Sequence, residues 1–269
     1  MRQPDAPVFS LAIMPTDPNL ALPVMLLAAG RGERMRPLTD NTPKPLLRVH
    51  GKSLLQWRLE ALQRDQTGPV LINTAWLGDQ IERALGPEFS ADGVQWPALP
   101  IRYSHEGRDF GAALETAGGI VRALDVLGDS FWVMAGDIFA PDFVFSRHSV
   151  AHFLASDALA HLWLVANPPH HPTGDFVLDP ATRLLSSPPA EQPALRHTYS
   201  TIGLFRRELF LPPWTDLPAG NPSGQAAALA PLLRRAMAQG RITGEIYHAA
   251  WTDVGTVQRL ADLNNAPLH

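Results

Sequence analysis

Cysteine is absent from the sequence of 269 residues. Its absence excludes disulfide bonds and thiolate metal sites, since both require cysteine sulfur. It also leaves no cysteine pattern from which a redox compartment could be inferred. Lysine is almost absent as well, because it occurs only at Lys44 and Lys52, and arginine supplies nearly all the positive charge.

Two further absences limit the function. No apolar run approaches the ~20 residues of a membrane-spanning helix, so we expect no membrane association. The formal net charge of -4 lacks the positive excess that non-specific nucleic-acid binding requires. Asp5 and Asp17 interrupt the first segment, which has no basic region leading a continuous apolar one, so it does not resemble a targeting sequence. We expect a cytoplasmic protein of unspecified oligomeric state, with residues 1–22 as a disordered or loosely ordered extension.

A buried strand followed by a basic, glycine-rich loop is the main positive feature. Val24–Ala29 is apolar without alternation, which predicts a strand buried on both faces of a parallel sheet. Gly30 and Gly32 follow, and glycine lets the backbone approach a ligand closely. Cations then cluster within fifteen residues, at Arg31, Arg34, Arg36 and Lys44. These features together predict a loop that binds a polyphosphate.

Two other interpretations compete for this loop. The first is an ordinary basic surface loop between a strand and a helix. The second is an NAD-binding loop, because Gly30–Met35 begins like the GxGxxG pattern. However, Met35 replaces the third glycine, and Pro37 would block the helix that should follow.

The order of residues in this region resembles the signature of the sugar-1-phosphate nucleotidyltransferase family. That signature runs from a strand through a glycine-rich loop to an arginine, a Pro-Leu-Thr and a Pro-Lys, and here Arg34, Pro37–Thr39 and Pro43–Leu46 match it. The resemblance implies that Arg34 and Lys44 are catalytic and act on the phosphates. It also implies nucleotide contacts at Ala28, Ala29, Gly30, Gly32 and Asn73.

Strands and helices alternate after Pro23, which predicts a doubly wound, Rossmann-like α/β fold with a mixed, mostly parallel sheet flanked by helices. The resemblance implies the nucleotide-diphospho-sugar transferase type of this fold. The predicted strands are Val24–Ala29, Pro69–Asn73, Pro100–Ser104, Phe131–Ala135, Ala160–Ala166 and Ile242–Tyr247, with a strand pair at Asp175–Leu178 and Thr198–Phe205. The predicted helices are Ser53–Arg64, Leu77–Leu85, Glu115–Leu124, Ser146–Ser156, Gln225–Gln239 and Val257–Leu263, and Ser187–Pro193 is a predicted loop. We expect one nucleotidyltransferase domain over 23–269, with a nucleotide-binding half at 23–145 and a smaller sugar-binding elaboration at 146–269.

Two aspartates are the candidate metal ligands. Asp137 follows an apolar strand directly after Gly136, and Asp253 lies within Trp251–Thr256. A single carboxylate at a strand end more often forms a turn. Beside a polyphosphate loop, however, two carboxylates suit Mg²⁺, which prefers one or two carboxylates together with phosphate oxygens. The family resemblance places its paired metal aspartates here and implies that both are catalytic.

The glycine-rich segment Glu115–Gly119 has two interpretations. It is either the capped start of a helix or a nucleotide-binding segment, as the resemblance implies for Gly118 and Gly119, whose backbone would meet the base and ribose. The sequence departs from the family pattern at two places that affect the expected fit around the nucleobase. Ala117 replaces a usual glycine, and Gly107–Ala113 forms a lengthened loop.

A second cluster, at Asn167, His170–His171 and Gly174–Phe176, lies in the second half. Adjacent histidines point in different directions, so we do not expect a histidine metal pair. The string is instead similar to one branch of the family, the N-acetylmuramate 1-phosphate uridylyltransferases of bacterial cell-wall recycling. By this resemblance the sugar-binding candidates are Glu115, Asn167, Gly174, Asp175 and Ser200.

The second half has no lysine, although larger family members place a Glu-Lys-Pro there whose lysine binds the sugar phosphate. Arginine or histidine must then neutralise that phosphate, and Arg196 and His170 are the candidates.

The resemblance implies transfer of a nucleotidyl group from a nucleoside triphosphate, with UTP expected, to a sugar 1-phosphate, with N-acetylmuramic acid α-1-phosphate expected. Mg²⁺ is the implied cofactor, and pyrophosphate is released. Mannose 1-phosphate, glucose 1-phosphate, or phosphocholine with CTP are alternative substrates. Outside the enzyme class, a nucleotide-sugar sensor is the main alternative. The joint presence of Arg34, Lys44, Asp137 and Asp253 argues against a sensor, which would not need all four.

Overall fold

The computed structural model describes residues 20–189 and 194–267. All but the last three positions of the predicted extension 1–22 lie outside the described residues, and so does the predicted loop Ser187–Pro193 from residue 190 onward. No helix within the described ranges combines the length and the apolar character that crossing a bilayer demands.

A central sheet organises the molecule. The strands are β1 (Val24–Ala28), β2 (Arg48–Val49), β3 (Lys52–Ser53), β4 (Val70–Thr74), β5 (Glu88–Phe89), β6 (Leu99–His105), β7 (Ser130–Ala135), β8 (Ile138–Phe139), β9 (Ala160–Val165), β10 (Val177–Leu178), β11 (Leu185–Ser186), β12 (Thr198–Arg206), β13 (Ile242–Ile246) and β14 (Thr252–Asp253). In the described part of the chain, eight of them form the central sheet in the order β13-β9-β12-β7-β1-β4-β6-β5. The others pair as β2 with β3, β8 with β14, and β10 with β11.

β1 lies in the middle of this sheet, parallel to both neighbours. Val24 is opposite Val70 of β4 on one side and Trp132 of β7 on the other. Met25 packs into the hydrophobic cluster on one face of the sheet, and Leu26 packs into the cluster on the other face. Since both faces of β1 are covered, every position is apolar, which explains why its sequence shows no alternation.

Antiparallel strands make the sheet mixed. β12 is antiparallel to β7 and β9, and β5 is antiparallel to β6, whereas the β1–β4, β1–β7, β4–β6 and β9–β13 pairs are parallel. The predicted fold class, a mixed and mostly parallel sheet flanked by helices, is therefore confirmed. Because β9, β12 and β13 come from residues beyond 145, both parts of the chain contribute to one sheet.

Helices fill the connections between strands. They are α1 (Leu38–Asn41), α2 (Leu54–Arg64), α3 (Gly78–Leu85), α4 (Glu106–Phe110), α5 (Glu115–Leu127), α6 (Arg147–Leu154), α7 (Leu229–Met237) and α8 (Val257–Asn265), with short 3₁₀ turns at Glu33–Met35, Lys44–Leu46 and Arg207–Phe210. The Ser53 hydroxyl accepts a hydrogen bond from the Gln56 amide at 3.1 Å. Ser53, the first residue of the predicted helix Ser53–Arg64, is thus the N-cap of α2.

The predicted helix Gln225–Gln239 is wrong at its beginning, since α7 starts at Leu229. The residues before it bond to the start of α5 instead of to each other. The Ala117 amide donates to the Ala227 carbonyl at 2.9 Å, and the Ala227 amide donates to the Leu114 carbonyl at 3.0 Å. These bonds compete with helix formation in this segment and attach it to the start of α5.

The predicted lengthened loop Gly107–Ala113 is also wrong in part. α4 occupies Glu106–Phe110, and its last turn closes with a hydrogen bond of 2.9 Å from the Gly111 amide to the Gly107 carbonyl. Gly111 has φ +78°, a left-handed conformation that commonly ends a helix.

The two strands predicted at Asp175–Leu178 and Thr198–Phe205 are both present, although the first is shortened to β10. A bridge between Phe176 and His197 lies just before them, β10 pairs with β11, and β12 enters the central sheet. β12 is buried along most of its length because it lies between β7 and β9.

A small hydrophobic cluster joins the basic loop to the end of the described chain. Its buried members include Met35, Leu54, Phe139, Val254 and Leu260. The cluster places the loop, β8 and the start of α8 in one packed unit. This unit forms the base of the candidate site.

Candidate active site

A cavity of about 650 Å³ opens where β1, β4 and β7 end. Ala29, Gly30 and Asn73 line it on the side of β1 and β4. Asp175 and Tyr199 line it on the side of β12, and residues of α7 complete that wall. In sheets with parallel strands, ligands gather at the carboxyl ends of the strands, and this cavity has that location.

A smaller cavity of about 230 Å³ adjoins the first, with Gly30 and Asp137 common to both. Arg34, Lys44 and Gly255 are among its other lining residues. The smaller cavity is therefore basic on the side of the loop and acidic at the strand end.

Gly30 and Gly32 have different roles in the loop. A Cβ placed on Gly30 would meet nothing within 4 Å, so the backbone there faces open space. Gly32 has φ +69°, and a Cβ there would lie 3.0 Å from Thr39 Cγ2 and 3.2 Å from Lys44 Cβ. Gly32 is thus required by the turn itself, whereas Gly30 keeps space clear for a ligand.

The arginines of the loop are not equivalent. Arg31 donates to the Thr39 carbonyl at 2.8 Å and to Asp40 at 3.1 Å, and it stacks on the Trp76 ring. Arg36 also donates to Asp40, at 2.7 Å. The hydrogen bond from Arg31, reinforced by Arg36, lowers the pKa of the Asp40 carboxyl below its ordinary value.

Arg34 is the exception among these side chains. It is exposed, and its guanidinium has no hydrogen-bonded or ionic partner among the described residues. Since it lines the smaller cavity, it is available to an anionic ligand there.

Lys44 and Asp137 form an ion pair at the junction of the two cavities. Lys44 is 8% exposed and is therefore nearly buried. A buried ammonium requires an anionic or hydrogen-bonding partner, and Asp137 provides it. The structure thus brings together two of the four predicted catalytic residues.

The ladder between β8 and β14 brings Asp253 to Asp137. Asp253 is opposite Ile138, the residue after Asp137, and the Val254 amide donates to the Asp137 carbonyl at 3.0 Å. Gly255, which lines the smaller cavity, would carry a Cβ 3.1 Å from Asp253 Oδ2. Asp137 therefore lines the smaller cavity, and Asp253 adjoins it beside Gly255.

Asp253 has two basic neighbours. The Arg259 guanidinium forms an ion pair with its carboxylate, and His170 Nε2 lies 2.9 Å from Asp253 Oδ1. Arg259 Nη1 and His170 Nε2 are 2.8 Å apart. The sequence analysis named His170 and missed Arg259. The available signal was Thr256, whose hydroxyl caps α8 and places Arg259 in the first turn of that helix.

Arg196, the other predicted phosphate-binding candidate, lies elsewhere. Its guanidinium donates to the carbonyls of Pro188 at 3.0 Å and Pro189 at 2.8 Å. These bonds tie it to a loop, so the structure brings only His170 of the two candidates to the aspartates.

Asn73 and Glu106 connect three elements beneath the larger cavity. Asn73 Oδ1 accepts from the Ala28 amide at 2.8 Å, and Asn73 Nδ2 donates to Glu106 at 2.8 Å. Glu106 also accepts from the Leu114 amide at 2.8 Å. Burial raises the pKa of the Glu106 carboxyl, although these donors oppose the shift. Sequence reasoning missed Glu106, because a lone acid after a strand carries no distinguishing pattern.

Gly118 and Gly119 lie behind the cavity wall. Gly118 donates to the Ala227 carbonyl at 3.1 Å, and a Cβ on Gly119 would lie 2.5 Å from Glu106 Oε1. Both are buried, and Glu115 and Thr116 line the cavity in their place. A direct nucleotide contact by these two glycines stays a prediction.

Two non-glycine residues of the cavity have left-handed backbones. Glu115 has φ +55° at the start of α5, and Thr201 has φ +65° where the pairing of β12 shifts register between Tyr199 and Gly203. Such conformations cost about 1–3 kcal/mol and cluster at ligand sites. They support Glu115 as a site residue and add Thr201, which the sequence analysis missed.

The remaining sugar-binding candidates mainly make contacts within the second half of the chain, at the wall of the larger cavity. Asn167 accepts from the Thr198 hydroxyl at 2.9 Å, and a Cβ on Gly174 would lie 2.6 Å from Asn167 Oδ1. Asp175 lines the larger cavity and accepts from the Tyr199 amide at 2.8 Å. Ser200 is fully buried and donates to the Trp163 carbonyl at 2.7 Å. Their contact with a sugar stays a prediction.

The protein offers two carboxylates to a metal ion at this site. Within the described ranges, no group of three or more His, Cys, Asp or Glu side chains is arranged to hold a metal. A Zn²⁺ or Ca²⁺ site made entirely of protein ligands is therefore not indicated there. Asp137 and Asp253 instead match the needs of Mg²⁺, which keeps several positions for phosphate oxygens and water.

The sequence profile of the nucleotidyl transferase family matches residues 23–268. The chain belongs to this family. The predictions that it is a member of the sugar-1-phosphate nucleotidyltransferases and an enzyme are thereby confirmed.

Relatives within the family extend the comparison. The transferase is 46% identical, over 88% of its length, to the N-acetylmuramate alpha-1-phosphate uridylyltransferase of Neisseria meningitidis, of which 95% is covered. It is 31% identical, over 87% of its length, to the protein of the same name from Caulobacter vibrioides, of which 92% is covered. A solved structure from Bacillus anthracis, assigned as a glucose-1-phosphate thymidylyltransferase, superposes with a TM-score of 0.69 at 21% identity, covering 93% of this chain and 98% of that one. This last likeness concerns the fold.

Proposed function

We propose that this nucleotidyltransferase transfers UMP from UTP to N-acetylmuramic acid α-1-phosphate and releases pyrophosphate. The observation that carries the proposal is the β8–β14 ladder, which brings Asp253 to Asp137 beside the basic glycine-rich loop. The choice of donor and acceptor is supported by the names of the two relatives that match most of the chain.

The reaction joins an oxygen of the sugar phosphate to the α-phosphorus of UTP. As this P–O bond forms, the bond from the α-phosphorus to the oxygen bridging the β-phosphorus breaks, and pyrophosphate leaves with the electron pair. The attacking phosphate is already an anion, so no side chain has to remove a proton from it. Catalysis then consists of positioning and charge stabilisation.

Asp137 and Asp253 would hold Mg²⁺ at the junction of the two cavities. The ion supplies positive charge to phosphate oxygens of the substrates when it is bound. Lys44, which is paired with Asp137, is close enough to the same junction to neutralise the α-phosphate. Arg34 has no partner among the described residues and would hold the β- and γ-phosphates as they leave.

Arg259 would neutralise the sugar phosphate, with His170 beside it. Both lie against Asp253, on the side of the site that the second half of the chain provides. An arginine presents a planar fork that matches phosphate oxygens, so it can replace a lysine at such a position. This assignment explains how the sugar phosphate would be neutralised although the second half of the chain contains no lysine.

The proposed substrates also suggest a cellular role. N-acetylmuramic acid is a component of the bacterial cell wall, so its nucleotide-activated form fits cell-wall recycling. A reaction that consumes UTP belongs in the cytoplasm, where nucleoside triphosphates are made.

A pyrophosphate-release assay tests the proposal. The purified chain is supplied with Mg²⁺, with UTP, CTP, GTP or dTTP, and with the 1-phosphates of N-acetylmuramic acid, N-acetylglucosamine, glucose and mannose, or with phosphocholine. The expected result is the highest kcat/KM for UTP with N-acetylmuramic acid α-1-phosphate. A higher kcat/KM for another pair would replace the proposed substrates. No turnover with any pair, together with binding of UDP-sugars, would favour the sensor.

A further inference from the structure

We propose that Arg234 recognises the substrate's carboxylate, the group that distinguishes N-acetylmuramic acid from N-acetylglucosamine. This inference rests on the proposed function and adds a residue that determines the choice of sugar. N-acetylmuramic acid carries a lactyl ether whose carboxylate is ionised at neutral pH, whereas N-acetylglucosamine has a hydroxyl at that position.

The larger cavity is acidic except at Arg234. Carboxylates line it at Glu106, Glu115, Asp137 and Asp175, and among the described lining residues Arg234 is the only Lys or Arg. Among these lining residues, a substrate carboxylate therefore has no Lys or Arg partner other than Arg234. The position of Arg234 therefore decides where such a carboxylate can be bound.

The Arg234 guanidinium is free to bind. It is exposed, and within the described parts of the chain it has no hydrogen-bonded or ionic partner. The next residue behaves differently, because Arg235 donates to the carbonyls of Pro213 and Trp214 at 3.1 and 3.0 Å. α7 thus presents one arginine to the cavity and uses the other to hold a loop.

The acids of the cavity are mostly occupied. Asp137 is paired with Lys44, and Glu106 accepts hydrogen bonds from Asn73 and the Leu114 amide. Asp175 is bonded to His171 and to the Tyr199 amide. These carboxylates therefore have partners of their own and do not take up Arg234.

Arg234 lies on the sugar side of the cavity. α7 packs against α5 on one side and against β11 and β13 of the second half on the other, and β13 is separated from β1 by β9, β12 and β7 in the sheet. Arg234 does not line the smaller cavity, where Arg34 and Lys44 serve the phosphates. A cation that is separate from the phosphate cluster and borders the sugar side suits a second anionic group on the sugar.

The test compares two acceptors in three proteins. The acceptors are the α-1-phosphates of N-acetylmuramic acid and N-acetylglucosamine, and the proteins are the wild type, Arg234→Gln and Arg102→Gln. Arg102 is a matched control, since it is exposed on β6 and lines neither cavity of the site. A charge-assisted bidentate contact implies that Arg234→Gln lowers the ratio of the two kcat/KM values about 10- to 100-fold. Arg102→Gln should keep the wild-type ratio.

A second arm changes the substrate in place of the protein. An acceptor whose lactyl carboxylate is converted to a carboxamide should lose about the same factor in the wild type and little in Arg234→Gln, because the charge pair is already broken there. Calorimetric titration with Mg²⁺ and UTP verifies that each variant is folded. If Arg234→Gln does not fold, the carboxamide comparison in the wild type still tests recognition of the charge.

The outcomes separate this inference from the proposed function. If the wild type does not use N-acetylmuramic acid α-1-phosphate, the proposed function fails. If the wild type uses it and Arg234→Gln leaves the ratio unchanged, the role of Arg234 fails alone. An equal loss with both acceptors would mean that Arg234 supports the wall of the cavity, and it would overturn recognition of the carboxylate.

Discussion

Lys44 and Asp137, 93 positions apart in the sequence, form an ion pair at the mouth of the cavity beneath the glycine-rich loop. The pair joins the loop to the end of β7. It places the Lys44 ammonium beside the carboxylate of Asp137, a candidate metal ligand. A substitution at either residue therefore tests how far the other depends on its partner.

Asp137→Ala should leave the fold intact and lower kcat at saturating Mg²⁺ by at least ~10²-fold, comparable with the loss of one strong electrostatic group. Steady-state pyrophosphate release measures the change. Asp129→Ala is the matched control, because Asp129 is an exposed aspartate that precedes the same strand at its opposite end. Near-normal turnover in Asp137→Ala would exclude its role as a metal ligand.

The coupling between the two charges should appear in a double-mutant cycle. Lys44→Met and Asp137→Asn each leave one partner of the pair, a nearly buried lysine or a half-buried aspartate, without its counter-charge. We expect the double variant to be less destabilised than the sum of the single variants, by about 1 kcal/mol. Urea unfolding of the four proteins gives this difference, and strict additivity would show that the pair contributes nothing to stability.

Arg259→Gln should raise the KM for the sugar phosphate at least ~10-fold while changing the KM for UTP much less, because the proposed contact is with the acceptor. Arg259→Lys should recover part of the loss, since it keeps the charge but not the planar fork. Arg196→Gln is the comparison variant. A larger effect at Arg196 than at Arg259 would reverse the assignment.

Gly30→Ala should fold like the wild type and bind UTP at least ~10-fold more weakly. Its Cβ meets no protein atom within 4 Å, so any cost arises only when the ligand occupies that space. Gly32→Ala should instead lose about 1–2 kcal/mol of stability from the left-handed backbone. Thermal unfolding and UTP titration of both variants check this contrast, and normal UTP binding by Gly30→Ala would contradict the role of Gly30.

His161 should make the protein less stable at mildly acidic pH. Burial, with a smaller effect from Arg183, lowers the pKa of His161 from 6.5 to about 4. Below about pH 6.5, His161 therefore binds a proton in the unfolded chain, whereas in the folded chain it stays neutral down to about pH 4. The free energy of unfolding therefore falls as pH decreases, by about 2 kcal/mol between pH 7 and pH 5.

Urea unfolding at both pH values measures this loss. His161→Gln should reduce it, whereas His148→Gln should keep it, because His148 is an exposed histidine that lines a surface pocket together with His161. An identical pH dependence in wild type and His161→Gln would contradict the assignment.

Much of this fold could be predicted because its central strands are buried on both faces. Val24–Ala28 and Ser130–Ala135 are apolar at nearly every position, a pattern typical of a strand inside a covered sheet. The failures lie where long-range contacts outweigh local preference. Leu229 begins α7 late because the preceding residues bond to α5.

The candidate site likewise contains residues that could be predicted from the sequence and residues that could not. Arg34, Lys44 and Asp137 could be named from sequence because a glycine-rich loop and a strand end concentrate them in short motifs. Glu106 and Arg259 could not, since their roles depend on partners that the fold brings from distant segments. A local motif predicts which residues form a site, but only the tertiary arrangement shows which of their charges are already satisfied.

The short ladder between β8 and β14 also determines when the site can be complete. Asp137 and the loop belong to the first half of the chain, but Asp253 and Arg259 are added much later during translation. A nascent chain on the ribosome therefore carries Asp137 and the loop while it still lacks the second carboxylate. Polypeptides released before this point lack both Asp253 and Arg259, and we expect the ability to transfer a nucleotide to arise only when synthesis has passed α8.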